Sequence, residues 1–471
     1  MSSYDLVAVG TGFATTFFLH RYLEARPNAR ILVLERGRNP ASGDKLETPG
    51  TFRKTGDPRK QWIYTLAFGG GSNCWWACTP RMLPNDFQLN TRYGVGADWP
   101  MSYDEFEPYY LQAENIMNIS GPSDGGPAPR SGPYPQPPHR FSDPDRLMKA
   151  AYPDLYYNQA TARARVATPE RVMCCANGVC NKCPVSAKFM IKHDLAAMYA
   201  KANIEIRFDA EVLRIETAAG AVSGVAYRSN GAETTVAGDL YLLGANAVYN
   251  PLILQNSGLS HPWLGAGLCE QSSRLGYVLL DGVDNYSGST VITGQGYMLY
   301  DGDHRREAAA CMLEVWNKGL LRPEWGKWRQ RLDLKMICED IPSQQSTVRP
   351  SSDDKHIPVL HFPGISDYTR RGFDRARTKL TDVLAPMPIE DLFIEDEPEV
   401  EGEAHILCTA RMGNDPADSV VDKGLVHHQF RNLVVAGGSA FPTASPANPS
   451  LTISALSLFA ADRLVGGVTE I

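Results

Sequence analysis

The chain has 471 residues, of which 43% are hydrophobic and 21% are charged, and its formal net charge is -7 at pH 7. A chain of this length is too long for one ordinary core, so we expect two domains, or two lobes that share the chain. The acidic balance argues against a nucleic-acid partner and an anionic membrane surface, and no apolar run is long enough to span a bilayer.

The N-terminal residues predict a βαβ unit. Residues 4–9 form a short apolar run typical of a buried strand, and a glycine-containing turn follows them. Residues 13–26 have the composition of a helix, and residues 30–35 predict a second strand. This order of elements is that of a mononucleotide-binding unit.

The turn and the second strand carry a dinucleotide fingerprint. Gly10 permits the tight turn, and Gly12 lets a pyrophosphate approach the N-terminus of the helix. The third fingerprint position is Thr15 rather than Gly or Ala, and Glu35 is placed to accept hydrogen bonds from both ribose hydroxyls, which disfavours NADP. An ordinary turn is the alternative interpretation, but the order of strand, glycines, helix, strand and acid favours a cofactor site.

The middle of the chain gives weaker signals. A Gly-rich segment at residues 68–73 predicts close backbone approach to a cofactor, and a helix is expected from residue 103 through Glu114. Residues 121–145 are dense in Pro, Gly and Ser and predict a long loop, which we interpret as a candidate lid. Residues 204–243 alternate short apolar runs with turns and predict a β-meander.

The C-terminus predicts a second cofactor-contacting unit. Residues 432–436 form an apolar strand, Gly437, Gly438 and Ser439 follow it, and a Pro-opened helix is expected over residues 449–464. Because both ends of the chain have this character, the cofactor domain is expected to be discontinuous.

These motifs together resemble a known family. The series formed by residues 405–413, 419–422, 432–443 and 448–453 resembles the C-terminal signature of the glucose–methanol–choline (GMC) oxidoreductases, which are FAD enzymes. The resemblance implies an α/β fold with a Rossmann-like FAD-binding domain of the GMC type and a second, substrate-binding domain built on a β-sheet. The FAD domain is expected from residues 1–100, 171–265 and 405–471, and the substrate domain from residues 101–170 and 266–404.

The same resemblance implies the cofactor contacts. The N-terminus of the last helix is expected to face the N1 and O2 edge of the flavin, where an anionic reduced flavin needs positive potential. The cofactor-binding residues it implies are Gly10, Gly12, Glu35, Gly70, Gly71, Ser72, Asn73, Val212, Gly438, Ser439, Pro449 and Thr452.

It also implies a catalytic pair, His405 and Asn448. An imidazole with a pKa near neutrality can take the hydroxyl proton as hydride leaves the carbon, and a neutral amide can hold the substrate oxygen without competing for that proton. The alternatives are a buried histidine satisfied by the backbone and, for Asn448, a helix cap. The pair His427 and His428 is expected in a solvated surface turn without a catalytic role.

Four cysteines crowd into one short segment, Cys174, Cys175, Cys180 and Cys183. Four thiolates in a short Gly-containing loop suit an iron–sulfur cluster, and the segment resembles the cluster loop of sugar dehydrogenase large subunits in the GMC family. That loop usually has one more residue before its last cysteine. A structural zinc, a disulfide and reduced thiols remain alternatives.

The expected function is oxidation of a CH–OH group of a sugar or another alcohol by hydride transfer to flavin N5. Electrons would then pass to a redox partner subunit, a cytochrome or a quinone. The alternatives are an oxidase that reduces dioxygen to hydrogen peroxide, and a flavin subunit that only relays electrons. No export signal precedes the first strand, so we expect a cytoplasmic location, with periplasmic export alongside a signal-bearing partner as the alternative.

Overall fold

The computed structural model describes residues 4–40, 51–397 and 402–467. Residues 1–3, 41–50, 398–401 and 468–471, which belong to the expected domain segments, lie outside the described residues. The strands are β1 (Tyr4–Val9), β2 (Ile31–Leu34), β3 (Arg53–Gly56), β4 (Tyr156–Asn158), β5 (Ile204–Arg207), β6 (Glu211–Ala218), β7 (Ala221–Ser229), β8 (Ala232–Val236), β9 (Gly238–Leu243), β10 (Ser272–Leu280), β11 (Ile292–Gly296), β12 (Cys311–Trp316), β13 (Arg331–Cys338), β14 (Thr347–Pro350), β15 (Pro358–Phe362), β16 (Ile389–Ile394) and β17 (Leu433–Val435). The α-helices are α1 (Phe13–Ala25), α2 (Leu89–Tyr93), α3 (Tyr103–Met117), α4 (Asp143–Ala151), α5 (Ile191–Asp194), α6 (Ala196–Tyr199), α7 (Asn246–Asn256), α8 (Asp367–Leu384) and α9 (Ser450–Val465).

A five-stranded parallel sheet with the order β17-β9-β1-β2-β5 forms one half of the fold. Its central register places Val7 opposite Leu32 on one side and Tyr241 on the other. β1, β2 and β17 consist almost entirely of buried residues, as expected of parallel strands that are covered on both faces. α1 and α9, from opposite ends of the chain, pack against each other. The strands of this sheet all come from the segments expected to build the cofactor domain.

The meander predicted over residues 204–243 is correct only for its central part. β6, β7 and β8 form a three-stranded antiparallel sheet, whereas the flanking strands join the parallel sheet, β5 beside β2 and β9 beside β1. The physical reason lies in β9, which ends in four consecutive buried residues, Leu240–Leu243. A continuous apolar run suits a central parallel strand, and an alternating one suits a meander.

The second half is a six-stranded sheet with the order β16-β10-β13-β12-β11-β4. All of its neighbouring strands pair antiparallel. One face carries apolar side chains that pack on Phe373, Ala376 and Leu380 of α8. Because side chains alternate along a strand, Glu314 and Lys335 lie on the opposite face, which is turned toward the parallel sheet.

The loop predicted at residues 121–145 ends earlier than expected. α4 begins at Asp143 because Ser142 and Asp145 form a capping box, in which the Ser142 N–H donates to Asp145 Oδ2 at 2.8 Å. Gln136 and His139 of the loop are buried. None of residues 121–145, all of which are described, lines the main cavity, so the structure does not support a lid at this position.

No helix among the described residues has both the length and the apolar character needed to cross a bilayer.

Candidate active site

A cavity of about 530 Å³ lies between the carboxyl ends of the parallel strands and the polar face of the six-stranded sheet. Residues that follow each parallel strand line one wall, namely Gly10–Gly12, Glu35–Arg36, Ala210–Val212, Gly244–Ala247 and Gly437–Gly438. The facing wall includes Ile292, Glu314, Trp316 and Lys335. Ligands of open α/β sheets bind outside the carboxyl ends of the strands, so this cavity is the candidate active site.

The glycines of the first turn form a cradle for an anion. Gly10 has φ +85°, and a Cβ atom added to it would lie 2.7 Å from the Gly244 carbonyl oxygen. Gly12 is the N-cap of α1, and a Cβ atom added there would meet nothing within 4 Å, because the position opens onto the cavity. Gly70 packs against Gly12, where its added Cβ would lie 2.9 Å from the Gly12 Cα. The free N–H groups at the N-terminus of α1 therefore face open space, and the helix dipole gives this space a positive potential that suits a phosphate.

Thr15, at the third fingerprint position, is larger than the Gly or Ala expected there, and another residue of the fold leaves room for its side chain. Its hydroxyl donates to the Val9 carbonyl at 3.2 Å, beneath the first turn. The space for this side chain is left by Gly244, where an added Cβ would lie 2.1 Å from Thr15 Oγ1. Gly244, which directly follows β9, thus allows α1 to approach the sheet closely, a role that a small residue in the helix usually has.

Glu35 is 5% exposed and closes the same end of the cavity. Its Oε2 accepts a hydrogen bond from the Thr11 hydroxyl at 2.6 Å, and its Oε1 accepts one from the Gly37 N–H at 2.8 Å. Burial raises the pKa of Glu35, and these two donors act in the opposite direction. The carboxylate is therefore held in a defined orientation beside the fingerprint turn, where a ribose of a bound dinucleotide would need it.

Most of the cofactor residues expected from the sequence line the cavity. They are Gly10, Gly12, Glu35, Gly70, Gly71, Val212, Gly438 and Pro449.

The remaining four, Ser72, Asn73, Ser439 and Thr452, lie behind the wall and shape it. Ser72 and Asn73 close the turn of the Gly-rich segment by donating to backbone carbonyls of residues 68–70. The Ser439 hydroxyl accepts from the Asn250 side chain at 2.9 Å. Thr452 shares a hydrogen bond of 2.9 Å with the Tyr110 hydroxyl. The hydroxyls of Ser72, Ser439 and Thr452 are therefore engaged by the protein itself, whereas Asn73 Oδ1 is buried without a hydrogen-bond partner among the described residues.

His405 lines the cavity, and its Nδ1 atom is buried without a hydrogen-bond partner in the described part of the chain. Its backbone N–H donates to Glu270 Oε1 at 2.7 Å, and Glu270 is held in turn by a buried ion pair with Lys60. Burial lowers the pKa of His405, against the opposing effect of the Glu403 and Glu270 carboxylates. The His405 backbone is therefore held in place, and the imidazole is favoured in its neutral form.

Asn448 lies in the same cavity, immediately before Pro449 and α9. Its Oδ1 atom is buried and has no hydrogen-bond partner among the described residues. The helix begins without a side-chain cap, so the alternative interpretation of Asn448 as an N-cap is wrong. A buried amide oxygen without a protein partner is costly unless a bound molecule supplies a donor.

Other polar groups of the cavity were not expected from the sequence. Glu403 forms an ion pair of 2.7 Å with Lys335 and accepts a hydrogen bond of 2.6 Å from Ser273. Although burial acts to raise the pKa of Glu403, the Lys335 cation and the hydrogen bonds from Lys335 and Ser273 act against it, and the pKa is lowered. Glu314 lines the facing wall and is 2% exposed. The sequence does carry a signal for it, since a lone carboxylate in the apolar run of β12 is unusual.

The structure does not support the metal site expected at Cys174, Cys175, Cys180 and Cys183. Cys175 is exposed, Cys180 is buried, and the other two are half-buried. The Cys183 sulfur accepts a hydrogen bond from the Ala187 N–H at 3.2 Å. The described side chains contain no group of three or more His, Cys, Asp or Glu placed to hold a metal ion.

Two buried cations nevertheless lie beside these thiols. Arg163 and Lys188 are each 1% exposed. Arg163 donates to the Thr290 hydroxyl at 2.7 Å, which contacts the Cys174 sulfur at 3.5 Å, and Lys188 donates to the Asn181 carbonyl of the cysteine loop at 3.4 Å. Burial lowers the pKa of Lys188 to about 8. Burial raises the pKa of the Cys180 thiol, and the Arg163 and Lys188 cations act against this rise.

The expected solvated turn at His427 and His428 is wrong for the first residue. His427 is 8% exposed and its ring stacks on Phe430, and burial lowers its pKa to about 4. His428 bonds to the Ser419 hydroxyl at 2.8 Å. Neither residue lines the cavity.

Comparison with known proteins agrees with this architecture. Two family models described as GMC oxidoreductase match the chain, an N-terminal one at residues 5–273 and a C-terminal one at residues 342–457. The fructose dehydrogenase large subunit of Gluconobacter japonicus is 29% identical over 446 residues, which cover 85% of this chain and 81% of that protein. The 2-methyl-1,2-propanediol dehydrogenase of Mycolicibacterium austroafricanum is 26% identical with the same coverage, 85% and 81%. The paromamine 6'-oxidase of Streptomyces fradiae is 25% identical over 99% of this chain and 92% of its own.

Solved structures share the fold. A pyridoxine 4-oxidase from Mesorbium loti superposes with a TM-score of 0.71 at 18% identity and covers 98% of this chain and 99% of its own. A formate oxidase superposes with a TM-score of 0.70 at 15% identity, covering 99% and 98%.

Proposed function

This chain belongs to the GMC oxidoreductase family, and on that premise we propose that it is an FAD-dependent dehydrogenase of a sugar or another alcohol. The single observation that carries the proposal is the presence of His405 and Asn448 in one cavity with a dinucleotide cradle, each with an unpartnered buried polar atom. A base and a neutral amide in one cavity are groups suited to oxidation of a CH–OH group.

The residues present fit FAD. The open position at Gly12 and the N-terminus of α1 would hold the pyrophosphate, and Glu35 would hold the adenosine ribose. Val212 would pack on the adenosine end, and the N-terminus of α9 at Pro449 would face the anionic edge of the ring system. When bound, FAD supplies a two-electron acceptor that takes hydride at N5.

His405 would accept the hydroxyl proton at an imidazole nitrogen as the C–H bond gives up its electron pair. The substrate then loses one proton and one hydride and becomes a carbonyl compound, so atoms and electrons balance. Asn448 would hold the substrate oxygen through its amide and keep the C–H bond aimed at the flavin side of the cavity. Glu270 and its Lys60 partner would hold the His405 backbone in register.

The pH dependence follows from the state of His405. A general base works only in its neutral form, and burial lowers the pKa of this imidazole below the 6.5 of a free histidine. We therefore expect kcat/KM for an alcohol with a single hydroxyl group, such as benzyl alcohol, to be constant at neutral pH and to fall with acidification only through a midpoint below 6.5. Initial rates measured from pH 5 upward at constant ionic strength check this, and an acid midpoint at or above that of a free histidine would contradict a buried neutral base.

The electron acceptor is the second part of the proposal. We propose that electrons leave for a redox partner subunit, a cytochrome or a quinone, and support comes from the relative described as a large subunit of a dehydrogenase. The oxidase alternative has support from the relative described as a paromamine 6'-oxidase. A subunit that only relays electrons is a further alternative, and reduction of the bound flavin by an alcohol would exclude it.

We expect turnover with ferricyanide or a soluble ubiquinone analogue to exceed oxygen consumption on the same substrate. The measurement is one set of assays on a single preparation, in which acceptor reduction and hydrogen peroxide are followed in parallel. Peroxide formed in equal amount to the carbonyl product, at the full rate in air, would overturn the dehydrogenase assignment. An anaerobic absorption spectrum with an iron and sulfide assay of the same sample separates flavin alone from flavin with a cluster at the cysteine loop.

A further inference from the structure

The wall of the cavity that faces the parallel sheet is a row of polar side chains. In the six-stranded sheet Gln295 of β11 lies directly opposite Glu314 of β12, and Glu314 lies directly opposite Lys335 of β13. Trp316 stands two residues further along β12 and therefore projects from the same face. Glu314, Trp316 and Lys335 all line the cavity that also contains His405.

Glu314 has one engaged oxygen and one free oxygen. Its Oε1 accepts hydrogen bonds from the Gln159 and Gln295 side-chain amides at 3.2 and 3.4 Å. Its Oε2 has no hydrogen-bond partner in the described part of the chain. Lys335, across the strand, forms its ion pair with Glu403 at 2.7 Å. Glu314 is 2% exposed. Burying a carboxyl group with one unpaired oxygen is costly unless a molecule in the cavity supplies a donor.

Trp316 presents the complementary group. Its indole Nε1–H is buried and has no partner among the described residues. The ring is half-buried and meets Trp76 edge to face, with the two centroids 5.1 Å apart. An aromatic surface beside one free donor and one free acceptor suits a ligand with C–H faces and several hydroxyl groups.

Given the alcohol oxidation proposed above, on which this inference rests, we infer that Glu314 and Trp316 form a hydroxyl-recognition subsite that selects polyhydroxylated substrates. Glu314 Oε2 accepts a hydrogen bond from a substrate hydroxyl other than the one being oxidised, and the Trp316 indole N–H donates to a substrate oxygen. A sugar or polyol forms hydrogen bonds with both groups. A monohydroxylic alcohol leaves both unpaired in a closed site, and this energetic cost discriminates strongly against binding of such an alcohol.

The protonation state of Glu314 tunes the subsite. The charged groups that act on it are Lys335 from β13, Glu403 from the segment before His405, and Arg163. Burial raises the pKa of Glu314 to about 7, and the Lys335 cation acts against this rise. The raised pKa means that the group is neutral below this pH and ionised above it. Since an ionised carboxylate is the stronger acceptor, polyol binding should tighten as the pH rises through about 7.

The test compares Glu314→Leu and Glu314→Gln with the wild-type holoenzyme, using D-sorbitol, D-fructose and benzyl alcohol as probes. The concentration dependence of anaerobic flavin reduction gives a dissociation constant and a limiting rate for each. We expect Glu314→Leu to weaken binding of the polyhydroxylated probes by about 10- to 100-fold and to tighten binding of benzyl alcohol, because no carboxylate is then left unpaired in the closed site. Glu314→Gln keeps an acceptor oxygen and should recover part of the affinity while abolishing its pH dependence near neutrality.

Asp391→Asn is the matched control, because Asp391 is an exposed carboxylate on β16 of the same sheet and lies outside the cavity. Its Oδ1 accepts from the Leu392 N–H at 2.9 Å, a bond that asparagine retains. This variant should match the wild type with all three probes. Flavin occupancy and the thermal unfolding midpoint, measured for each variant, show whether a loss of affinity reflects misfolding.

Failure of the subsite and failure of the proposed function give different results. If no probe reduces the flavin of the wild type, alcohol oxidation fails, and calorimetric titration of D-sorbitol into the oxidised wild type and Glu314→Leu still tests the subsite. Equal affinities in the two proteins, absence of D-sorbitol binding to the wild type, or equal weakening for polyols and benzyl alcohol would each overturn the inference.

Discussion

His405→Ala is expected to slow flavin reduction by an alcohol about 10²- to 10⁴-fold, the range typical of removing a general base, while FAD stays bound. The alanine retains the backbone N–H that donates to Glu270, so the segment should keep its position. The cradle formed by Gly12 and Glu35 comes from another part of the chain, so cofactor affinity should not change. The measurement is single-turnover flavin bleaching under anaerobic conditions.

His428→Ala is the matched control, since it removes a half-buried histidine that lies outside the cavity. Its reduction rate should equal that of the wild type. An unchanged rate in His405→Ala would show that another group takes the proton. A variant that loses FAD would show instead that His405 is a structural residue of the cofactor site.

Gly12→Glu is expected to abolish FAD binding without unfolding the protein. Gly12 has φ -74°, which any residue adopts, and its added Cβ meets nothing within 4 Å, so the carboxylate would stand in the cavity where the pyrophosphate binds. A repulsion of about 4 kcal/mol between unit charges 4 Å apart in a partly buried site corresponds to roughly a 10³-fold loss of affinity. Flavin content after purification and titration of the apoprotein with FAD measure the effect.

Asn28→Glu adds the same charge at an exposed position beyond the other end of α1 and should retain FAD fully. The far-ultraviolet circular dichroism of both variants should match that of the wild type. Full flavin occupancy in Gly12→Glu would mean that the pyrophosphate does not approach the N-terminus of α1, and the orientation proposed for the cofactor would be wrong.

Much of the cofactor site could be predicted from the sequence because its residues lie close together along the chain. Gly10, Gly12 and Glu35 belong to one contiguous βαβ unit, and their roles depend on spacing within that unit. The same holds for Pro449, which opens the last helix. Their place in the cavity followed from the rule that parallel strands present their carboxyl ends at one edge.

The sequence did not predict contacts between side chains that lie far apart along the chain. Thr452 and Ser439 lie in cofactor-contacting segments, yet Tyr110 and Asn250, both remote in sequence, occupy their hydroxyls. The four cysteines are close in sequence, but Cys175 turns to solvent and Cys180 to the interior. Short spacing brings backbones together, and it does not set the direction of each side chain.

By itself the sequence determined the family, the α/β class and the composition of the cofactor cradle, because these depend on motifs whose residues act within one turn or one strand end. Only the tertiary structure decided which side chains form the cavity wall that faces the parallel sheet. Glu314, Lys335 and Trp316 line one cavity with His405 because β12 and β13 pair in one register, and a shift of β12 by one residue would turn Glu314 and Trp316 to the opposite face. Register is set by packing of the opposite apolar face on α8, a long-range interaction that no local motif records.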